Sequence, residues 1–169
     1  MVFALASRSL RSSSFRPSLS QLAGARRGYA EAVSDKLKLS FVAPHQALYN
    51  NQEVTQVNVP AVSGDLGILA SHVPSIEALR PGLLEVIESS GTAKRFFVSS
   101  GFATIHPNNQ LTVNAVEAYS IDAFSPEAVK QGLAEAQRVA NGSGSPEEKA
   151  AAEVEVEVYS AIQAALSQN

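Results

Sequence analysis

Cysteine is absent from the 169 residues, so neither a disulfide framework nor a thiolate metal site is open to this chain. Long apolar runs are absent too: none approaches the ~20 residues a membrane-spanning helix needs. Any membrane association would have to come through a partner. The usual nucleophile and phosphate motifs are also missing. Ser99-Ser100-Gly101 lacks the Gly-x-Ser-x-Gly elbow. No Gly-x-x-x-x-Gly-Lys-Ser/Thr loop occurs, and Gly64-Asp65-Leu66-Gly67 is too short to serve as one. His45, His72 and His106 stand at no three- or four-residue spacing and have no neighbouring acids to complete a ligand set. No catalytic residue, metal site or cofactor is expected.

Positive charge is scarce outside the first thirty residues. That segment holds Arg8, Arg11, Arg16, Arg26 and Arg27, is rich in serine, and has no acid before Glu31. A basic, Ser-rich, acid-poor start is the signature of a mitochondrial transit peptide, and no unbroken apolar stretch follows to make it a secretory signal. Arg26-Arg27-Gly28-Tyr29-Ala30 resembles a matrix-protease site, which places the mature start at Ala30 and the transit peptide at 1–29. The whole chain has 13 basic and 16 acidic residues. Removing five arginines leaves 8 against 16, a mature charge near −8. Nucleic-acid binding needs clustered Lys and Arg to displace counterions, so it is disfavoured. A partner with a basic surface suits this charge better.

After a short lead-in at 30–35, the pattern over 36–119 is that of a β domain. Leu37, Leu39 and Phe41 alternate with Lys38 and Ser40, and Val57 and Val59 with Gln56 and Asn58. Runs near Leu84–Val86, Lys94–Val98, Phe102–Ile105 and Leu111–Val116 follow, separated by Gly, Pro or Asn. His106-Pro107-Asn108-Asn109 reads as a hairpin turn. Short strands with regular turn signals argue for a sandwich or barrel. From 120 to 169 the period changes. Ser125-Pro126-Glu127 and Ser145-Pro146-Glu147 each combine an N-cap oxygen, a first-turn proline and an acid. Val129, Leu133, Ala136 and Ala140 form a helical stripe, and Asn141-Gly142 offers a left-handed C-cap. Glu153 to Val158 alternates like a strand, but flanking alanines and the cap predict helix, with Val154, Val158, Ala161 and Ala165 on one stripe. The short connection makes the two helices antiparallel. Glu147, Glu148, Glu153, Glu155 and Glu157 read as a solvated helix face. Asn141-Gly142-Ser143 matches the glycosylation triplet only by coincidence.

One stretch carries more information than the rest: Pro60-Ala-Val-Ser-Gly64-Asp65-Leu66-Gly67-Ile68-Leu69-Ala-Ser-His72-Val73-Pro74. Its glycines permit tight turning, and Pro60 and Pro74 are expected to set where extended pairing stops. The loop is expected to present Asp65 and His72 at one end of the β domain. Together with Leu79-Arg80-Pro81-Gly82-Leu83 and Phe96-Phe97-Val98-Ser-Ser-Gly101-Phe102, in order and spacing, it resembles the small rotor subunit of F-type ATP synthases, called delta in mitochondria and epsilon in bacteria. The resemblance runs from Lys36 to the C-terminus.

That resemblance implies a flattened β-sandwich of about ten short strands followed by an antiparallel two-helix hairpin. It implies a non-catalytic central-stalk role, joining the gamma subunit to the c-ring so that rotation couples proton flow to ATP synthesis on the matrix side of the mitochondrial inner membrane. A small mitochondrial epsilon stalk subunit would pack near the hairpin. Gly64, Asp65, Leu66, Gly67 and His72 correspond to the edge that meets the ring and gamma, with Asp65 the first candidate for a charge-assisted contact. His72 is the second, against the alternative that it only fixes its turn. Some bacterial members bind ATP through Ile/Leu-Asp followed three residues later by Arg-Ala. Here Ile121-Asp122 is followed by Ala123-Phe124-Ser125, without the arginine, which argues for a permanently folded hairpin. Two other readings stay open: an ATP-responsive inhibitory stalk subunit, and a free-standing ligand-binding sandwich, which would need a concave apolar pocket.

Overall fold

Nine strands and two helices follow one another in the computed structural model, which describes residues 36–168. The expected transit peptide and the lead-in at 30–35 lie outside the described residues. The strands are β1 (Leu37–Ala43), β2 (Gln46–Ala61), β3 (Gly64–Leu69), β4 (Ser75–Leu79), β5 (Gly82–Glu88), β6 (Ala93–Val98), β7 (Gly101–His106), β8 (Gln110–Ala115) and β9 (Ala118–Ser120). A 3-10 turn at Ile121–Ala123 leads to α1 (Pro126–Ala140) and α2 (Pro146–Ser167). The sandwich-then-hairpin order is the one the sequence implies, with nine strands among the described residues where about ten were expected. The count falls because β2 runs unbroken for 16 residues.

The long β2 strand organises the sandwich. Along one edge it pairs first with β1 (Leu37↔Val54) and then with β3 (Val57↔Ile68). Along the other it pairs with β5 (Val57↔Val86) and, past Pro60, with β4 (Ala61↔Leu79). Pro60 therefore lies inside a strand rather than ending one. It sits where β2 changes partner from β5 to β4, with its carbonyl accepting from the Arg80 N–H at 3.0 Å. A residue without its own N–H belongs at such a break in the ladder. The path β2–β4–β7–β8 closes back onto β1 through a parallel β1–β8 pair. Curled in this way, the sheet encloses Leu37, Leu39, Phe41, Val57, Val59, Leu84, Val86 and Val113, all at or near zero exposure. Phe41 and Tyr49 each meet Phe96 edge-on, at 5.5 and 6.1 Å between ring centres.

Phe96 and Phe97 serve two different cores. Strand alternation points Phe96 into the sandwich and Phe97 to its outer side, where Phe97, Ile121, Val129, Ile162 and Ala165 form a second apolar cluster with Leu83, Phe124 and Tyr159 packed against it. The hairpin docks on β5 and β6 through this cluster. Ser125 Oγ caps α1 by accepting from Ala128 N, and Ser145 and Glu148 exchange the two bonds of a capping box at the start of α2. Gly132 lets the helices approach, since a Cβ there would sit 2.5 Å from the Tyr159 ring. Glu153–Val158 is helical, so local alternation loses to the caps and to docking. Two details differ from expectation. Val154 is 61% exposed and off the buried stripe, which runs through Ala152, Ile162 and Ala165. Asn141 closes α1 in a right-handed conformation (φ −89°, ψ −2°), so no left-handed cap forms there.

Candidate functional site

The Gly64–Gly67 segment is a strand rather than a free loop. A two-residue turn, Val62-Ser63, joins β2 to β3, and Gly64 adopts φ +130°, which costs a residue without Cβ little. Val62 N donates to the Ala78 carbonyl at 2.8 Å and Ser63 Oγ to Glu77 at 3.0 Å, tying the turn to β4. Asp65 stands exposed opposite Pro60. Its carboxylate already has a cation: Arg80 Nη2 donates to Oδ1 at 2.6 Å. Leu66 is half-buried against the core, and Gly67 leaves room for the Gln56–Asn58 bond, since a Cβ would lie 3.1 and 3.2 Å from those side chains. A cavity of about 330 Å³ opens beside the Asp65–Arg80 pair, lined by Pro81 and Gly82, by Ala161 and Ala165 of α2, and by Gln168 just past its end.

His72 lies at the opposite end of β3. From Asp65 to Leu69 the strand covers roughly 13 Å at ~3.3 Å per residue, and the turn of Ala70–Pro74 lies beyond it. The expectation of Asp65 and His72 at one end of the domain is thus overturned, because the two glycines shape a hairpin strand instead of one loop. His72 Nδ1 donates to the Val73 carbonyl at 2.9 Å, and its backbone N–H to Leu69 O at 3.3 Å. Asn109 joins this end together: its Oδ1 accepts from Ser71 N at 2.7 Å and its carbonyl from Lys38 N at 2.8 Å. Ser71, Asn108 and Asn109 all take positive φ here, as the Asn-rich turn foretold for the last two.

An outward apolar face escaped the sequence reading. Ile76 is 71% exposed and Phe102 57%, and the pairings Ile76↔Thr104 and Ala78↔Phe102 set them on neighbouring strands β4 and β7. Val62 and Val116 are also exposed, and a shallow groove of about 560 Å³ runs along Pro44, Ala78, Phe102 and Val116. Periodicity gave no signal for it: alternation in Ser75-Ile76-Glu77-Ala78 would turn Ile76 inward, yet β4 faces it outward, and in Phe102-Ala103 it is the small residue that enters the core. Large apolar side chains left in water on one face mark an interaction surface. Among the described residues no group of His, Asp and Glu is placed to hold a metal, and no helix is long and apolar enough to cross a membrane.

Comparison with known proteins agrees with this architecture. A family model described as the ATP synthase Delta/Epsilon chain beta-sandwich domain matches residues 36–121. The mitochondrial ATP synthase subunit delta of Agaricus bisporus is 57% identical over 158 residues, covering 94% of this chain and 96% of the relative. That of Neurospora crassa is 57% identical over 141 residues, covering 83% and 86%. Among solved structures, a chain of the Euglena gracilis mitochondrial ATP synthase, solved with OSCP, F1 and the c-ring, superposes with a TM-score of 0.76 at 22% identity, covering 93% of this chain and 99% of that one. At that identity the likeness speaks for the fold.

Proposed function

This chain belongs to the delta/epsilon family of ATP synthase subunits, and from that premise we propose that it is the foot of the central stalk in the mitochondrial enzyme. In this role it joins the gamma subunit to the c-ring on the matrix side of the inner membrane and passes on the rotation that couples proton flow to ATP synthesis. It performs no bond chemistry; its task is to be a stiff joint. A close-packed sandwich suits this, because such interiors deform little under load. The observation that carries the reading is a pair of unlike surfaces side by side on one sandwich. The polar Asp65–Arg80 pair adjoins the apolar face of Ile76 and Phe102, because Arg80 follows β4 and the Val62-Ser63 turn is bonded to Ala78 and Glu77 of that strand.

We assign the apolar face to the gamma subunit and the Gly64–Gly67 edge to the polar loops of the ring. His72, at the far end of β3, then falls to the gamma side rather than the ring. The small epsilon subunit is assigned to the hairpin, residues 120–169, and torque transfer to the sandwich, residues 36–119; residues 1–29 direct import. The hairpin stays folded in this reading. Ile121 is buried in the hairpin core, Asp122 accepts from Ser120 Oγ, and no arginine follows three residues later. The test is a pull-down of the tagged mature chain from detergent-solubilised mitochondria with quantitative mass spectrometry. Gamma, c and catalytic subunits should come down in stoichiometric amounts. Recovery of the chain alone, from an extract whose ATP synthase is intact, would refute the assignment.

A further inference from the structure

We propose that the turn between α1 and α2 holds a site of spontaneous covalent ageing at Asn141-Gly142, gated by the opening of that turn. Asn141 is the one asparagine of the chain followed by glycine, and both residues are exposed. A glycine nitrogen, unshielded by any side chain, is the backbone nucleophile best able to reach the preceding carboxamide. In the reaction the deprotonated Gly142 nitrogen attacks Cγ of Asn141, and a C–N bond forms to close a succinimide. The Cγ–Nδ2 bond breaks, and ammonia leaves with the proton. Water then opens the ring at either carbonyl, giving aspartate or isoaspartate, so that the net change is water in and ammonia out.

The folded turn restrains both reacting groups. Asn141 Nδ2 donates to the Gln137 carbonyl at 2.8 Å, and Gly142 N donates to the Val139 carbonyl at 3.0 Å. Attack requires both bonds to break, so the reaction proceeds from the opened turn. The product cannot restore the cap. Aspartate lacks the Nδ2 donor and adds a negative charge at the C-terminal, negative end of the α1 dipole. The nearby cation gives no relief, because Arg138 is already forked onto Glu135 at 2.9 and 2.6 Å. Isoaspartate also lengthens the backbone where space is short: a Cβ on Gly142 would already lie 3.1 and 3.2 Å from the carbonyls of Arg138 and Val139. Conversion therefore loosens the α1 end of the hairpin and leaves the sandwich intact.

The test is to incubate the full chain in mildly alkaline buffer, folded and in denaturant, and to follow every asparagine by peptide mapping. Asn141 should convert first, to a mixture of aspartate and isoaspartate, and roughly tenfold faster in denaturant than when folded. Conversion of Asn108 or Asn109 ahead of Asn141, or equal rates in the two conditions, would overturn the proposal. As a second readout, Asn141→Asp should speed amide exchange in the last turn of α1 by about twofold to fivefold, with the sandwich amides unchanged. Unchanged exchange in that turn would overturn the predicted consequence.

Discussion

Asp65 is the residue whose position says most about its role. It is an exposed carboxylate held by Arg80 on a strand edge, so its side chain is aimed rather than free. Exposed ion pairs contribute little to stability. Asp65→Lys should therefore leave the isolated fold within about 1 kcal/mol, yet loosen the coupling of proton flow to ATP synthesis in mitochondrial vesicles. Arg80→Ala separates the causes, since loss of the internal pair alone would make it as harmful as the charge reversal. Unchanged coupling in Asp65→Lys would count against the ring-contact role. Asp65 itself was legible from its Gly-flanked motif, but its partner was not, because nothing in the spacing brings residues 65 and 80 together before β2 and β4 are paired. Tyr49 gives a prediction of another kind. Burial first, and then the Glu88 carboxylate that accepts from its hydroxyl, push its pKa from 10.0 up to about 12. A phenol raised in this way contributes stability that is complete below pH 10 and is lost as pH rises toward 12. Spectrophotometric titration should show a late phenol ionisation that Tyr49→Phe removes, with stability falling over that window. A titration curve unchanged by Tyr49→Phe near pH 12 would contradict the burial.

At the scale of elements, the Phe96-Phe97 pair divides the molecule's two cores between adjacent residues. Phe96→Ala should destabilise the sandwich, and Phe97→Ala should release the hairpin, each by roughly 3 kcal/mol. Amide exchange distinguishes them: Phe97→Ala should expose α1 and α2 while β1, β2 and β8 stay protected. Uniform loss of protection in both variants would show that sandwich and hairpin form one cooperative unit. The docking also rests on Arg95 of β6, which donates to Glu85 at 3.0 Å and to the Gln168 carbonyl at the end of α2 at 3.1 Å. Both helices were readable because cap, proline and acid coincide at Ser125 and Ser145. The alternation of Glu153 to Val158 misleads for a physical reason: period two records only which side chains are apolar. Which of them are buried is decided by docking, and Val154 stays in solvent. The 16-residue β2 strand was hidden by Pro60, whose cost disappears where the strand changes partners.

Taken as a whole molecule, the chain is a closed sandwich with a polar edge at one end of β3, an apolar face across β4 and β7, and a helical hairpin on β5 and β6. The β domain, the hairpin and the family were all readable from periodicity, caps and three ordered motifs. The distribution of surfaces was not, because separating Asp65 from His72 depends on β3 running as a strand between them. A joint that transmits torque needs unlike partners held on one body, and a polar edge beside an apolar face offers two unlike surfaces. The most direct measurement places a photo-reactive side chain at residue 65 or residue 102 and irradiates the assembled enzyme in mitochondria. Position 65 should yield adducts with the c subunit and position 102 with gamma. Adducts with neither subunit from either position, in a complex that contains the chain, would contradict the account.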